Sequence, residues 1–178
     1  MRSILILAFV VALALVACND DTRILTPPPG LGQIQVTSRA FTEGGAIPKK
    51  FTCSGENISP ALQWRGAPSA TKSLALIVDD PDAPVRTFTH WVAYDLPATQ
   101  TGIGEGAPVA GTSGKNSSGK TGYMGPCPPS GEHRYIFTVF ALDVDSLGLA
   151  PEATKDQVIA AMQGHILKQG SLTGRYSK

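Results

Sequence analysis

The sequence predicts an all-β domain, and three observations carry that reading. The most convincing apolar runs are short and rich in β-branched, leucine or aromatic residues: Ser73 to Asp79, Thr87 to Leu96 and Tyr135 to Leu142. Only one segment, Lys155 to Gln163, carries helix start and stop signals. The long stretch Pro97 to Gly131 is mostly Gly, Ser, Thr and Pro, a composition for loops and short strand pieces. One helix cannot cover both faces of a parallel sheet, so a wound α/β architecture is excluded.

The chain opens MRSILILAFVVALALVAC, with basic Arg2, an apolar run from Ile4 to Ala17, and then Cys18. That run is short for a membrane span and has the layout of an export signal. Leu15-Val16-Ala17-Cys18 resembles the lipobox of bacterial lipoproteins, so residues 1–17 are predicted to be a signal peptide and Cys18 the lipid-bearing N-terminus. Residues 18–33, with Pro27-Pro28-Pro29-Gly30, read as a tether, and residues 34–178 as one domain. Lys plus Arg number 15 and Asp plus Glu 14. Arg2 leaves with the signal, so the mature charge is near zero. No basic run or basic–aromatic stripe is present, and nucleic acid is excluded as a partner.

Ile34 to Ser38 and Ala46 to Phe51 read as short strands about the turn Glu43-Gly44-Gly45. Thr52 to Pro60 is a polar loop, and the alternation of Leu62 and Trp64 with Gln63 and Arg65 predicts a brief strand with one buried face. Ser73 to Asp79 must stop where Asp80-Pro81-Asp82-Ala83-Pro84 begins, because both prolines lack a donor for the ladder. Within the long loop, Ile103, Val109 and Tyr123 mark candidate short pieces. Tyr135 to Leu142 is apolar on both faces apart from Thr138, the pattern of an interior strand. Thr154 and Gln157 form a capping box for the helix, Val158, Ala161 and Met162 its apolar stripe, and Gly164 its end. The tail Leu172 to Tyr176 is expected as an edge piece.

GKNSSGKT at Gly114 to Thr121 matches a phosphate-binding loop literally. A functional one must open a helix, which Gly122 and Pro126 prevent, so nucleotide binding is excluded. Asn57-Ile58-Ser59 and Asn116-Ser117-Ser118 match glycosylation sequons and indicate no more than exposure. Asp80, Asp82, His90 and His133 are the polar groups of most interest in a chain with three histidines. Two histidines and an aspartate suit a metal site. Imidazoles with Tyr135 and glycine amides equally suit a phosphate-sized anion, with Asp80 orienting a histidine. A third reading makes His90 a satisfied cleft histidine and Asp80 a turn cap. Spacing alone separates none of these. Trp64 and Trp91 are assigned to core or rim packing. Cys53 and Cys127 remain once Cys18 is lipidated, and an oxidising compartment permits but does not require their pairing.

Gly122 to Phe137, GYMGPCPPSGEHRYIF, is a glycine- and proline-stiffened loop feeding a strand. Together with FTCSGENISPALQW at Phe51 to Trp64, DDPDAP at Asp79 to Pro84, His90-Trp91 and, more weakly, AMQGHIL at Ala160 to Leu167, it resembles the phosphatidylethanolamine-binding protein family, in its bacterial Raf-kinase-inhibitor-like branch. The likeness runs from about Ile34 to Tyr176. It implies a β-sandwich with one or two short helices and a small anion pocket at one edge. The pocket residues it implies are Asp80, His90, His133 and Tyr135, with Gly125, Pro126, Cys127 and Pro128 as a wall.

The resemblance also brings Cys53 and Cys127 near enough for a disulfide. The eukaryotic members' C-terminal closing helix is missing from the ending GSLTGRYSK, which puts lipid binding and kinase inhibition in doubt. The implied function is non-enzymatic binding of phosphate, a phosphorylated small molecule or a lipid headgroup, without cofactor or metal. The alternative is a module that inhibits a protease or kinase partner. A hydrolase reading fails for want of a nucleophile elbow. Lipidation implies the cell envelope, and Asn19 after Cys18 favours the outer membrane, facing the periplasm.

Overall fold

A computed structural model describes residues 33–178 of the chain. The signal peptide at 1–17, the lipidation site Cys18 and the tether up to residue 32 lie outside the described residues. The architecture grows from the strand β3, Ser73–Asp80, whose side chains alternate between two separate cores. Leu74, Leu76 and Val78 enter the larger core, and Ala75 and Ile77 the smaller. A strand buried on both faces has no polar side, which is why SLALIV does not alternate in polarity.

Flanking β3 are β4, Phe88–Pro97, and β7, Glu132–Leu142, both antiparallel to it. The edges are β6, Thr112–Ser113, beside β4 and the long β8, Ile166–Ser177, beside β7, giving the order β6-β4-β3-β7-β8. A second sheet, β1-β2-β5, is made of Gln35–Ser38, Leu62–Arg65 and Gly102–Ile103. Its inward Val36, Leu62, Trp64 and Ile103 meet Trp91, Tyr135, Phe137 and Leu172 of the larger sheet in the main core. On the far face the helix α1, Lys155–Met162, lays Val158 and Met162 over Ile77, Val92 and Phe140. Its capping box is formed by Thr154 and Gln157, and Gly164 follows with φ +82°. The fold is therefore an all-β sandwich, with one α-helix and one 3-10 turn among the described residues.

The boundaries differ from the sequence reading in instructive places. Ala46 to Phe51 is not a strand. Ala46 makes only a parallel bridge to Arg175, after which Pro48 starts the 3-10 turn Lys49–Phe51. Pro48 has φ −58° and no N–H, so the ladder cannot continue through it. The tail lies at the sheet edge as expected, but within a longer strand of 12 residues. Ile34 crosses it closely, donating its N–H to Gln169, at a point where a Cβ on Gly170 would stand 1.7 Å from the Ile34 carbonyl oxygen. Of the candidate pieces in the long loop, Ile103 lies in β5, whereas Val109 and Tyr123 pack against the main core without joining a strand. GKNSSGKT forms a tight turn in which Asn116 Oδ1 accepts from the Ser118 and Lys120 amides. Among the described residues no helix is long and apolar enough to cross a membrane.

Candidate functional site

Strand register brings three chemically distinct segments to one end of the larger sheet. Asp80 is the last residue of β3, paired with Phe88 at the start of β4, while its neighbour Asp79 pairs with Ile136 near the start of β7. Val78 lies opposite Trp91 and Asp79 opposite Thr89, so His90 is an extra residue on β4. Such a bulge breaks the alternation that would have sent His90 to the opposite face from Trp91. His90 instead stacks edge-on against Tyr135, with ring centroids 5.1 Å apart, and lies 4.9 Å from the Phe88 ring.

Asp80, His90, His133 and Tyr135 are all buried. His133 Nδ1 donates to Asp80 Oδ2 at 2.7 Å, and the Asp82 amide donates to Asp80 Oδ1 at 2.9 Å. His90 Nδ1 donates to the Met124 carbonyl at 2.7 Å. Burial holds the His90 imidazole below its usual pKa against the opposing pull of Met124 and Asp80. Tyr135 is 0 % exposed, and its hydroxyl has no hydrogen-bond partner. The Asp80 carboxylate and the Cys127 backbone come near enough to perturb that hydroxyl, but neither meets it with hydrogen-bond geometry. Burial pushes its pKa up, so it stays a proton donor.

The wall is built by two loops clasped together. Cys53 and Cys127 are joined by a disulfide across 74 residues of sequence. Cys53 N donates to Pro126 O, and Gly125 N to Asn57 Oδ1 at 2.8 Å. A Cβ on Gly125 would stand 2.5 Å from the Phe51 carbonyl oxygen, so only glycine fits this approach. The Tyr123 hydroxyl donates to that same carbonyl, while its ring meets Trp91 edge-on.

Outside the cluster, Asp82 takes a two-pronged grip from Arg134 Nε and Nη2 and also accepts the Arg134 amide. The guanidinium holds the Asp82 carboxyl down at about 2. Arg134 is thus turned away from His133 and Tyr135, as alternation along the strand predicts. Asp79 faces the opposite side, tied to Lys155 and Thr89. Sequence reasoning passed over Asn57, Met124 and Phe88. Asn57 has a left-handed φ of +57°, and its position in a polar loop gave only a weak signal. Met124 acts through its carbonyl, which no side-chain motif reveals. Among the described residues no group of three His, Cys, Asp or Glu side chains is placed to hold a metal ion. Two surface grooves, one against β1 and one beside β5, contain no histidine and lie apart from the cluster.

Two packed antiparallel sheets with a buried polar cluster at the end of the central strands define the class: an all-β sandwich with that cluster at one sheet end. The chain belongs to the phosphatidylethanolamine-binding protein family, whose model matches residues 37–177. It is 49% identical over 151 residues to a UPF0098 protein of Methanothermobacter thermautotrophicus, covering 82% of this chain and 99% of that one. It is also 49% identical over 152 residues to a UPF0098 protein of Aquifex aeolicus, covering 82% of this chain and 89% of that one. Among solved structures it resembles a putative phosphatidylethanolamine-binding protein homolog from Chlamydia trachomatis, with a TM-score of 0.79, 44% identity, and coverage of 82% of this chain and 98% of that one. E. coli YbcL, described as a new member of the mammalian family, gives a TM-score of 0.77 at 31% identity, covering 83% and 99%.

Proposed function

We propose that this chain is a non-catalytic binding protein whose Asp80–His90–His133–Tyr135 cluster accepts a phosphate-type anion, free or on a small molecule such as phosphoethanolamine. The observation that carries the reading is the Tyr135 hydroxyl, fully buried, unpartnered and set between His90 and Asp80. A buried hydroxyl without a partner costs stability, and a ligand oxygen would supply one. The family's name, phosphatidylethanolamine-binding protein, supports a phosphoryl ligand. Binding fits better than covalent catalysis, because both cysteines of the wall are tied up in the disulfide and neither thiol is free to attack.

The same reading places the protein in the bacterial envelope. Cys18 carries the lipid, the segment up to residue 33 is the tether, and the outer membrane holds the anchor with the domain in the periplasm. Calorimetric titration of the mature protein with inorganic phosphate and with phosphoethanolamine tests the site. Saturable binding that weakens in Tyr135→Phe is expected, and no binding of either compound at millimolar concentration overturns it. Fractionation tests the anchor: Cys18→Ser should move the protein from membrane to soluble fractions, and an unchanged distribution would refute lipidation.

A further inference from the structure

Each imidazole of the cluster has one nitrogen already committed. A backbone carbonyl only accepts, so His90 Nδ1 must carry the proton it gives to Met124 O. The Asp80 carboxylate likewise takes the Nδ1 proton of His133. A neutral ring has one N–H, so His90, whose burial opposes an imidazolium, is fixed in the Nδ1–H tautomer and its Nε2 presents a lone pair. The Gly125 backbone comes near enough to perturb the His90 ring, but no protein group meets either Nε2 with hydrogen-bond geometry. Asp80 has two lone pairs in use, from His133 and the Asp82 amide, and two to spare. The Tyr135 hydroxyl is the one side-chain donor in the cluster without a partner.

The cluster thus offers acceptors on Asp80 and His90 beside the free Tyr135 donor, an unusual supply for an anion site. A ligand whose oxygens only accept would face the Asp80 carboxylate and the His90 Nε2 lone pair among buried residues. A ligand that also carries a P–OH can give that proton to Asp80 or to the His90 Nε2 while another of its oxygens accepts from Tyr135. Resting on the anion-site reading above, we infer that the site selects a phosphoryl group that still bears a proton, namely inorganic phosphate or a phosphate monoester, over a phosphodiester or sulfate. An intact phospholipid headgroup is a diester and carries no such proton, so the source favoured is a small phosphate compound and not a lipid bilayer.

The groups around the two rings bear on this. They are the carboxylates of Asp79 and Asp80, the Asp82–Arg134 pair, and the phenols of Tyr135 and Tyr176. Asp79 is engaged by Lys155 and Arg134 by Asp82, so neither cation is released toward the site. Burial of His90 opposes an imidazolium there. Affinity for a monoester should fall as pH rises above the ligand's own second ionisation, near 6.

Calorimetry on the mature protein at pH 5.5, below the monoester's second ionisation, separates the outcomes, using inorganic phosphate, phosphoethanolamine, glycerophosphoethanolamine and sulfate. Sulfate has the size and shape of phosphate, so its exclusion isolates the proton from any steric effect. Phosphate or phosphoethanolamine should bind at least about 100-fold more tightly than both the diester and sulfate, because a site built to take a ligand hydroxyl rejects the analogue that lacks it. Which of the two binds better distinguishes free phosphate from a monoester as the source. Diester or sulfate binding within about 10-fold of the best phosphate ligand would overturn the inference and leave the anion site standing. Binding by none of the four would remove both.

Discussion

Tyr135→Phe deletes one oxygen from a fully buried side chain and nothing else. In the ligand-free protein that hydroxyl has no partner, so its removal lifts the penalty of keeping a polar group dry. That penalty runs from about 1 to 3 kcal/mol for an unpaired buried group. Some of it is relieved by the nearby Asp80 and Cys127 dipoles, so a gain of about 1 kcal/mol is expected. For a domain of this size the gain corresponds to a melting temperature roughly 3 °C higher. Phosphate should reverse the advantage. At a hundredfold excess over its Kd the ligand stabilises the wild type by about 2.7 kcal/mol, and a tenfold weaker variant by only about 1.4 kcal/mol. Melts of both proteins by calorimetry, in phosphate-free buffer and across a phosphate series, should therefore converge and then cross. A variant less stable by about 1 kcal/mol without phosphate would show that the hydroxyl has a partner, and the basis for an anion site would fall.

Three other perturbations test the frame around the site. Gly125→Ala drives a Cβ against the Phe51 carbonyl and Asn57 Oδ1, so urea denaturation should show a loss of about 2 kcal/mol and phosphate affinity should drop with it. Replacing Cys53 and Cys127 together by alanine frees a loop spanning 74 residues in the unfolded chain. Chain entropy puts the loss at about 4 kcal/mol, and a loss below about 1 kcal/mol by the same assay would contradict a bridge in the mature protein. Asp82 has its folded pKa depressed from 3.8 to about 2, so its pairing with Arg134 contributes stability above about pH 4, lost as pH falls toward 2. The pair is partly exposed, so Asp82→Asn should cost less than about 1 kcal/mol at pH 6. That difference should vanish by pH 2 in acid-unfolding curves, and one persisting there would assign the effect to packing.

Read alone, the sequence determined the elements whose cause is local. The apolar run of β3 stops at Pro81 because proline cannot donate to the ladder, and α1 begins at Thr154 because Gln157 closes a capping box within one turn. It also supplied the residue types of the site, since Asp80, His90, His133 and Tyr135 sit in recognisable motifs. Only tertiary structure decided how they meet. Asp80 and His133 are 53 residues apart and touch because β3 and β7 pair in one register. His90 faces Tyr135 because a bulge inserts one residue opposite Val78 and Asp79, a departure from strict alternation that the residues of β4 do not announce. The pairing of Ala46 with Arg175 joins segments from opposite ends of the domain, which is why a local reading took residues 46–51 for a strand. Above all, the unpaired Tyr135 hydroxyl and the Nδ1 commitments of the two imidazoles are properties of what surrounds each atom. Their surroundings come from strands and loops distant in sequence, so the site's chemistry appears only when the chain is folded.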